Sequence, residues 1–369
     1  MKISPKNRRN ISRIIPFAII WLLIGWVLII TEAGLTRNQN LNPETDISFT
    51  IPVLIFANLA NIIVGLLVGT LEVFHFEKKF TNHPFRIKLS YKLAIYLSLF
   101  LIVIVVFYPI AFSIETGISF VKIEPWLKLG RFLTSTSFYV TLFQLLIMLI
   151  ACLIYSAISE NLGHHVFVNL FTGKYHKPEV EKRIFMFLDM KSSTTIAEVL
   201  GHLNYFNLLK AYYDIMTDPI INSYGEVYQY IGDEIVISWT MEKGIEKTNC
   251  VRCFFDIRDN LHANQDKLKE KFGFDIGFKA GIHFGEVTTG KIGALKKEVV
   301  LSGDVLNTAA RIQSHCNKLE SDLLISGALK KLLPQNKYYF ENKGEITLKG
   351  RNKEEELFSV NRQHEIHDT

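Results

Sequence analysis

Four long apolar runs dominate the first 157 residues, and none of them alternates with polar positions. They lie at about 14–31 (IIPFAIIWLLIGWVLIIT), 49–71, 93–113 and 137–157. Each approaches the ~20 residues a helix needs to cross a bilayer core, so the pattern predicts a bundle of four transmembrane helices. No small-residue cleavage site follows the first run, and three more runs succeed it, so a removed signal peptide is not expected. From Arg183 the periods shorten. RIFMFLDM reads as a buried strand, followed by polar KSSTT and the helical pattern IAEVLGHLNYFNLLKAYYDIMTDPII. In VYQYIGDEIVISW a period of two flanks Gly232–Asp233, which predicts a hairpin with that pair at its turn. KAGIHFGEVTTGKIGALKKEVVLSGDVLNTAARIQSHC then reads as a strand, a glycine-rich return, a second strand and a helix. The expected division is a membrane domain over 1–157, a coupling segment over 158–179, and an α/β domain over 180–369.

Charge sharpens this division. Residues 1–155 hold 14 Lys and Arg against 7 Asp and Glu, and the remainder holds 27 against 29. The excess positive charge therefore belongs to the apolar half, and nucleic acid is not expected as a partner of the other. Lys and Arg cluster in the N-terminal tail (Lys2, Lys6, Arg8, Arg9, Arg13) and in the second loop (Lys78, Lys79, Arg86, Lys88, Lys92). The first loop has only Arg37, and the third has Lys122, Lys128 and Arg131. Placing tail and second loop inside predicts a multi-pass protein of the cell (inner) membrane, with N-terminus and C-terminal domain in the cytoplasm.

Four cysteines are too few for a disulfide framework, and Cys250-x-x-Cys253 has no second pair at zinc-site spacing. All four are expected to be buried thiols. Asn58, Asn61, Gln144 and Glu72, within or at the end of the spans, are candidates for a sensor site or for contacts between helices. In the connector, His164 and His165 occupy adjacent positions that face different ways on a helix, so a solvated coupling segment is expected rather than a metal site.

Chemistry concentrates in three stretches of the C-terminal half. Asp189 ends a predicted strand, the edge where α/β proteins bind ligands, although an Asp there also caps helices. Asp233 either bonds its own turn or joins Asp189 in holding a hard cation such as Mg²⁺. Asn307 and Arg311 stand four residues apart and share one helix face, beside an apolar face formed by Val305, Ala309, Ile312 and Cys316. Glycines at 281, 285, 290 and 293 permit close backbone approach.

Taken in order, these stretches resemble the catalytic domain of class III nucleotidyl cyclases over about residues 180–360. FLDMKSSTTIAE resembles the first metal-aspartate motif and YQYIGDE the hairpin bearing the second. GDVLNTAARI resembles the transition-state helix, and GEITLKGRNKEEELFSV the closing strands. The GDE turn is shared with diguanylate cyclases, which lack such an N-x-x-x-R helix.

The resemblance implies a ferredoxin-like α/β domain that cyclises a nucleoside triphosphate with two divalent cations, Mg²⁺ or Mn²⁺. It implies Asp189, Asp233 and the Met190 carbonyl as metal contacts, Asn307 and Arg311 as the transition-state pair, and Lys349 as a contact to the terminal phosphates. It also implies a homodimer, because the metal and transition-state residues of one site come from opposite subunits. Gln229 and Val300 match the base-reading positions, where adenylate cyclases usually carry Lys with Asp or Thr, and guanylate cyclases carry Glu at the first. Gln donates and accepts, so residue type alone leaves the purine open. The missing Glu favours ATP, which makes a membrane-bound adenylate cyclase the expectation, with GTP and cyclic GMP as the alternative. A non-catalytic nucleotide-binding module is the third reading.

Overall fold

In the computed structural model, the described residues are 4–36, 41–76, 85–162, 177–295, 298–334, 337–347 and 354–363. The chain divides into two compact units, one covering Asn7–Val168 and the other covering Asn169–Thr369 together with Met1–Lys6.

The first unit is helical: α1 (Pro5–Thr36), α2 (Ile51–Thr70), α3 (Phe85–Thr116), α4 (Ile123–Leu133) and α5 (Thr136–Leu162). Stretches of α1, α2, α3 and α5 are long and apolar enough to cross a membrane, over Pro5–Gly34, Ile51–Phe76, Ser90–Thr116 and Thr136–Glu160. These four candidate spans make the chain a multi-pass membrane protein by length and composition. The helices meet around Phe17, Trp21, Val68, Phe100, Leu149 and Cys152, while Leu23, Val27, Ile55, Ile102 and Phe143 face outward. In water such a surface would aggregate; against lipid it is the expected one. Gly65 and Gly69 let α1 settle directly on α2, since a Cβ at Gly65 would lie 2.6 Å from the Ala18 Cα.

Two sequence expectations change here. The third loop is in large part a helix, α4, whose Pro125, Leu129 and Phe132 are buried. Lys92, counted above among loop charges, is a buried residue of α3. Its Nζ lies 2.5 Å from Glu72 Oε2, and the Tyr96 hydroxyl donates to Glu72 Oε1 at 2.7 Å. Glu72 itself sits in a π-helical turn, Leu71–Phe76, that prolongs α2. Of the other polar candidates, Asn58 donates to the Leu54 carbonyl of its own helix, and Asn61 lies where a Cβ on Gly25 would be. His164 and His165 lie outside the described residues.

The second unit is built on one sheet. β1 (Glu179–Met190) leads into α6 (Ser193–Asn222), the hairpin β2 (Glu226–Ile231) and β3 (Glu234–Thr240), and the short α7 (Met241–Ile245). α8 (Asn249–Ala263), α9 (Gln265–Phe272), β4 (Phe278–Ile292) and β5 (Glu298–Ser302) follow. α10 (Asp304–Ser314), β6 (Leu323–Ser326), α11 (Gly327–Lys330), β7 (Tyr338–Thr347) and β8 (Glu354–Arg362) complete it. Strand order is β2-β3-β1-β4-β6-β8-β7, with β5 paired to β4. The segment β1-α6-β2-β3-α8-β4 with neighbours β2-β3-β1-β4 is the ferredoxin-like arrangement.

β1 forms the middle of this core because its apolar run serves both faces. Ile184, Met186 and Leu188 pack with α6 and α8, while Phe185 and Phe187 pack with Val305 and Ala309 of α10. A strand covered on both sides needs such an unbroken run. The four cysteines are buried free thiols, as expected, and burial pushes Cys250 and Cys253 up to about 12.

Candidate active site

Asp189 stands near the C-terminal end of β1 and Asp233 at the tip of the β2–β3 hairpin. Leu188 pairs with Ile235 across the β1–β3 ladder, so the turn carrying Asp233 lies beside the end of β1. Gly232 adopts φ +63°, which the two-residue turn requires and a Cβ would strain. The tip is clamped from α6. The Tyr213 hydroxyl donates to the Gly232 carbonyl at 2.8 Å, and its ring lies 4.5 Å from that of Tyr230.

The two carboxyl groups act on each other. Burial first, then the hydrogen bond and charge of Asp233, raise the Asp189 pKa above the ordinary carboxylate range. Burial and the same two charges push the neighbouring Glu234 up to about 7. Asp233 Oδ2 is buried and has no hydrogen-bond partner among the described residues. Two acceptors gathered at strand ends, one of them unsatisfied, suit a hard cation that takes one or two carboxylates plus phosphate oxygens. On the Asp189 side, Gln313 Nε2 donates to Oδ2 at 3.2 Å and Lys279 Nζ lies 3.6 Å from the same oxygen.

Met190 follows Asp189 with its side chain fully in the core, so it offers the site only its main chain. Beyond it, Ser192 is held at φ +55° where β1 passes into α6. A cleft of about 520 Å³ opens there, bordered by Ser193, Thr194, Glu198, His202, Tyr205 and Asp233. Burial, followed by the charge of Asp233, raises the Tyr205 phenol above its ordinary value.

Asn307 and Arg311 project from α10 on its outward side, Asn307 exposed and Arg311 half-buried. Neither side chain forms a hydrogen bond or ion pair with Asp189 or Asp233 among the described residues, so one chain does not unite the two pairs. The inner side of α10 rests on β4 with almost no separation. A Cβ on Gly281 would fall 2.3 Å from the Gln313 amide nitrogen, and one on Gly285 would fall 3.1 Å from Val305.

The hairpin departs from strict alternation. A β-bulge between Val227 and Gln229 leaves Val227 opposite Ile237 and Gln229 opposite Val236. Ile237 belongs to the α6/α8 face and Val236 to the α10 face, so the bulge delivers Gln229 to the α10 side. Tyr228 packs on Phe185 of that same side, and its hydroxyl meets the Leu301 main chain at 3.3–3.4 Å. The segments bearing Gln229 and Val300 therefore adjoin through their neighbours. Lys349 lies outside the described residues.

The sequence profile of the adenylate and guanylate cyclase catalytic domain matches residues 176–361, just over half of the chain. The chain belongs to this family. It is 33% identical over 204 residues to Adenylate cyclase 2 of Rhizobium meliloti (strain 1021), covering 55% of this chain and 56% of that protein. With Guanylate cyclase soluble subunit beta-2 of Rattus norvegicus it shares 26% identity over 202 residues, 54% of this chain and 29% of the rat protein. The chain thus spans about half the length of the first relative and less than a third of the second. A solved bacterial light-regulated adenylyl cyclase superposes with TM-score 0.52 at 23% identity, over 60% of this chain and 65% of that one, a likeness of fold.

Within this cyclase domain, four residues around the aspartates were not singled out from the sequence: Tyr205, Tyr213, Lys279 and Gln313. Lys279 is legible afterwards as the register partner of Asp189 on β4. Gln313 is buried on the inner side of α10, where a polar residue in an apolar phase is the only signal.

Proposed function

We propose that the chain is a membrane-anchored adenylate cyclase that converts ATP to 3′,5′-cyclic AMP and pyrophosphate as a homodimer. The observation that carries this reading is the convergence of Asp189 and Asp233 with a buried, unsatisfied Asp233 oxygen. Asp189, Asp233 and the Met190 carbonyl would hold two divalent cations, Mg²⁺ or Mn²⁺. Bound there, such ions would stabilise the 3′-oxyanion and the charge on the phosphates. Asn307 orients the ribose and Arg311 meets charge developing on the α-phosphate, whose bond to the 3′-oxygen forms as the bond to the leaving pyrophosphate breaks. Lys349 holds the terminal phosphates. The outward-facing Asn307 and Arg311, whose side chains reach neither Asp189 nor Asp233 among the described residues, suit a role in a second copy's site, which supports the symmetric dimer.

Gln229 and Val300 frame the base. The adenylate cyclase relative at 33% identity and the lack of Glu at 229 support ATP. The membrane domain (1–157) and coupling segment (158–179) would fix the N-terminus and the cyclase domain (180–369) in the cytoplasm beneath the cell inner membrane.

The test is to incubate the full chain in membranes separately with ATP and GTP, each with Mg²⁺ or Mn²⁺, and identify products by mass spectrometry. Cyclic AMP as the main product is expected. Predominant cyclic GMP would reverse the substrate assignment, and neither product would overturn catalysis.

A further inference from the structure

We infer that Gln313 is a positioning residue that fixes the carboxylate of Asp189 from within the same chain. The inference rests on the cyclase reading given above. Among the described residues, the two cationic or amide donors near Asp189, Gln313 Nε2 at 3.2 Å and Lys279 Nζ at 3.6 Å, approach one oxygen, Oδ2. Engaging that oxygen fixes the rotation of the carboxyl group and leaves Oδ1 to serve the site. Of the two donors Gln313 is the better fixed, being 7% exposed and attached to a helix seated on β4. The seat depends on Gly281: any side chain there would meet the Gln313 backbone at 2.3 Å and lift the amide away from Asp189.

The same helix faces two ways. Residues two apart on an α-helix are turned by about 200°, so Arg311 points outward while Gln313 points into its own chain. In the dimer, Gln313 therefore belongs to one site and Arg311 to the other. A role in anchoring α10 and a role in orienting Asp189 predict losses in different sites, which makes them separable.

Two measurements decide it. First, Gln313→Met, or Gln313→Leu if methionine impairs folding, removes the donor at similar volume. Mn²⁺ binding is read from the free-ion electron paramagnetic resonance signal with 3′-deoxy-ATP present, which cannot cyclise. Affinity should fall about tenfold, the size expected for losing a hydrogen bond to a charged group, with the melting temperature of the metal-free protein retained. Unchanged Mn²⁺ affinity overturns the inference.

Second, two full-length chains are co-expressed with different tags, one Arg311→Ala and the other Asp189→Ala, so that the purified heterodimer keeps a single intact site. Gln313→Met should lower its turnover when placed on the Arg311→Ala chain, which supplies Asp189. On the Asp189→Ala chain the substitution has no carboxylate to release, and the loss should not appear. Loss from the Asp189→Ala chain, whether alone or alongside loss from the other, overturns the inference in favour of α10 anchoring, because that chain supplies Arg311. If the unmodified heterodimer recovers no turnover, the shared-site reading fails, and the Mn²⁺ titration still decides the role of Gln313.

Discussion

Glu234 opens β3 directly after Asp233, where burial first and then the charges of Asp189 and Asp233 disfavour its ionisation. Glu234 is raised to about 7 and Asp189 is raised with it. Between the ordinary Glu value of 4.5 and about 7, the folded chain keeps a proton that the unfolded chain has already lost. Stability of the metal-free protein therefore falls as pH rises through that window. Asp233→Asn removes one of the charges responsible. It should abolish cyclisation yet raise the melting temperature of the metal-free protein at neutral pH, with a shallower fall on a plot of melting temperature against pH. A lower melting temperature at every pH would contradict the repulsion argument. Gly281→Ala tests the opposite kind of constraint, since its Cβ meets backbone rather than a flexible side chain. A cost of about 1–3 kcal/mol, or more, is expected in denaturant unfolding.

At the scale of elements, what the sequence disclosed follows from period and spacing. Asp189 and Asp233 were legible because a strand end and a two-residue turn are marked by abrupt changes of pattern. Asn307 and Arg311 were legible because i, i+4 spacing defines a face. The bulge at Tyr228 was not, because a period of two carries no trace of one inserted residue, and it alone decides the face on which Gln229 emerges. Helix α4 was missed because a single Pro-containing amphipathic stretch between two spans resembles a loop in charge and length. Tyr213 holds the hairpin tip through its bond to the Gly232 carbonyl, so Tyr213→Phe should weaken the tip by about 1 kcal/mol. Faster amide exchange at residues 232–234 would report this, with smaller change elsewhere in the sheet. In the membrane unit, Lys92→Met alone should destabilise by about 3–5 kcal/mol, because it strands a buried carboxylate. Combining it with Glu72→Gln should restore much of that loss in thermal unfolding in detergent.

On the scale of the whole molecule, a cyclase domain whose two residue pairs are not united in one chain should lose specific activity on dilution. Measuring cyclic nucleotide formation per mole of chain across a dilution series in detergent tests this. A concentration-independent value would point to activity of the single chain. The second unit was the more legible in sequence because its motifs are tied to chemistry. The membrane unit showed its spans plainly but hid the pairing of Glu72 with Lys92, which joins two helices across 20 residues. That pairing has an electrical consequence. A lone charge carried across a bilayer responds to the membrane potential by about 2.3 kcal/mol per 100 mV. Opposite charges 2.5 Å apart that move together sum to zero. A shift that carried Glu72 and Lys92 together would therefore move no net charge from these two residues.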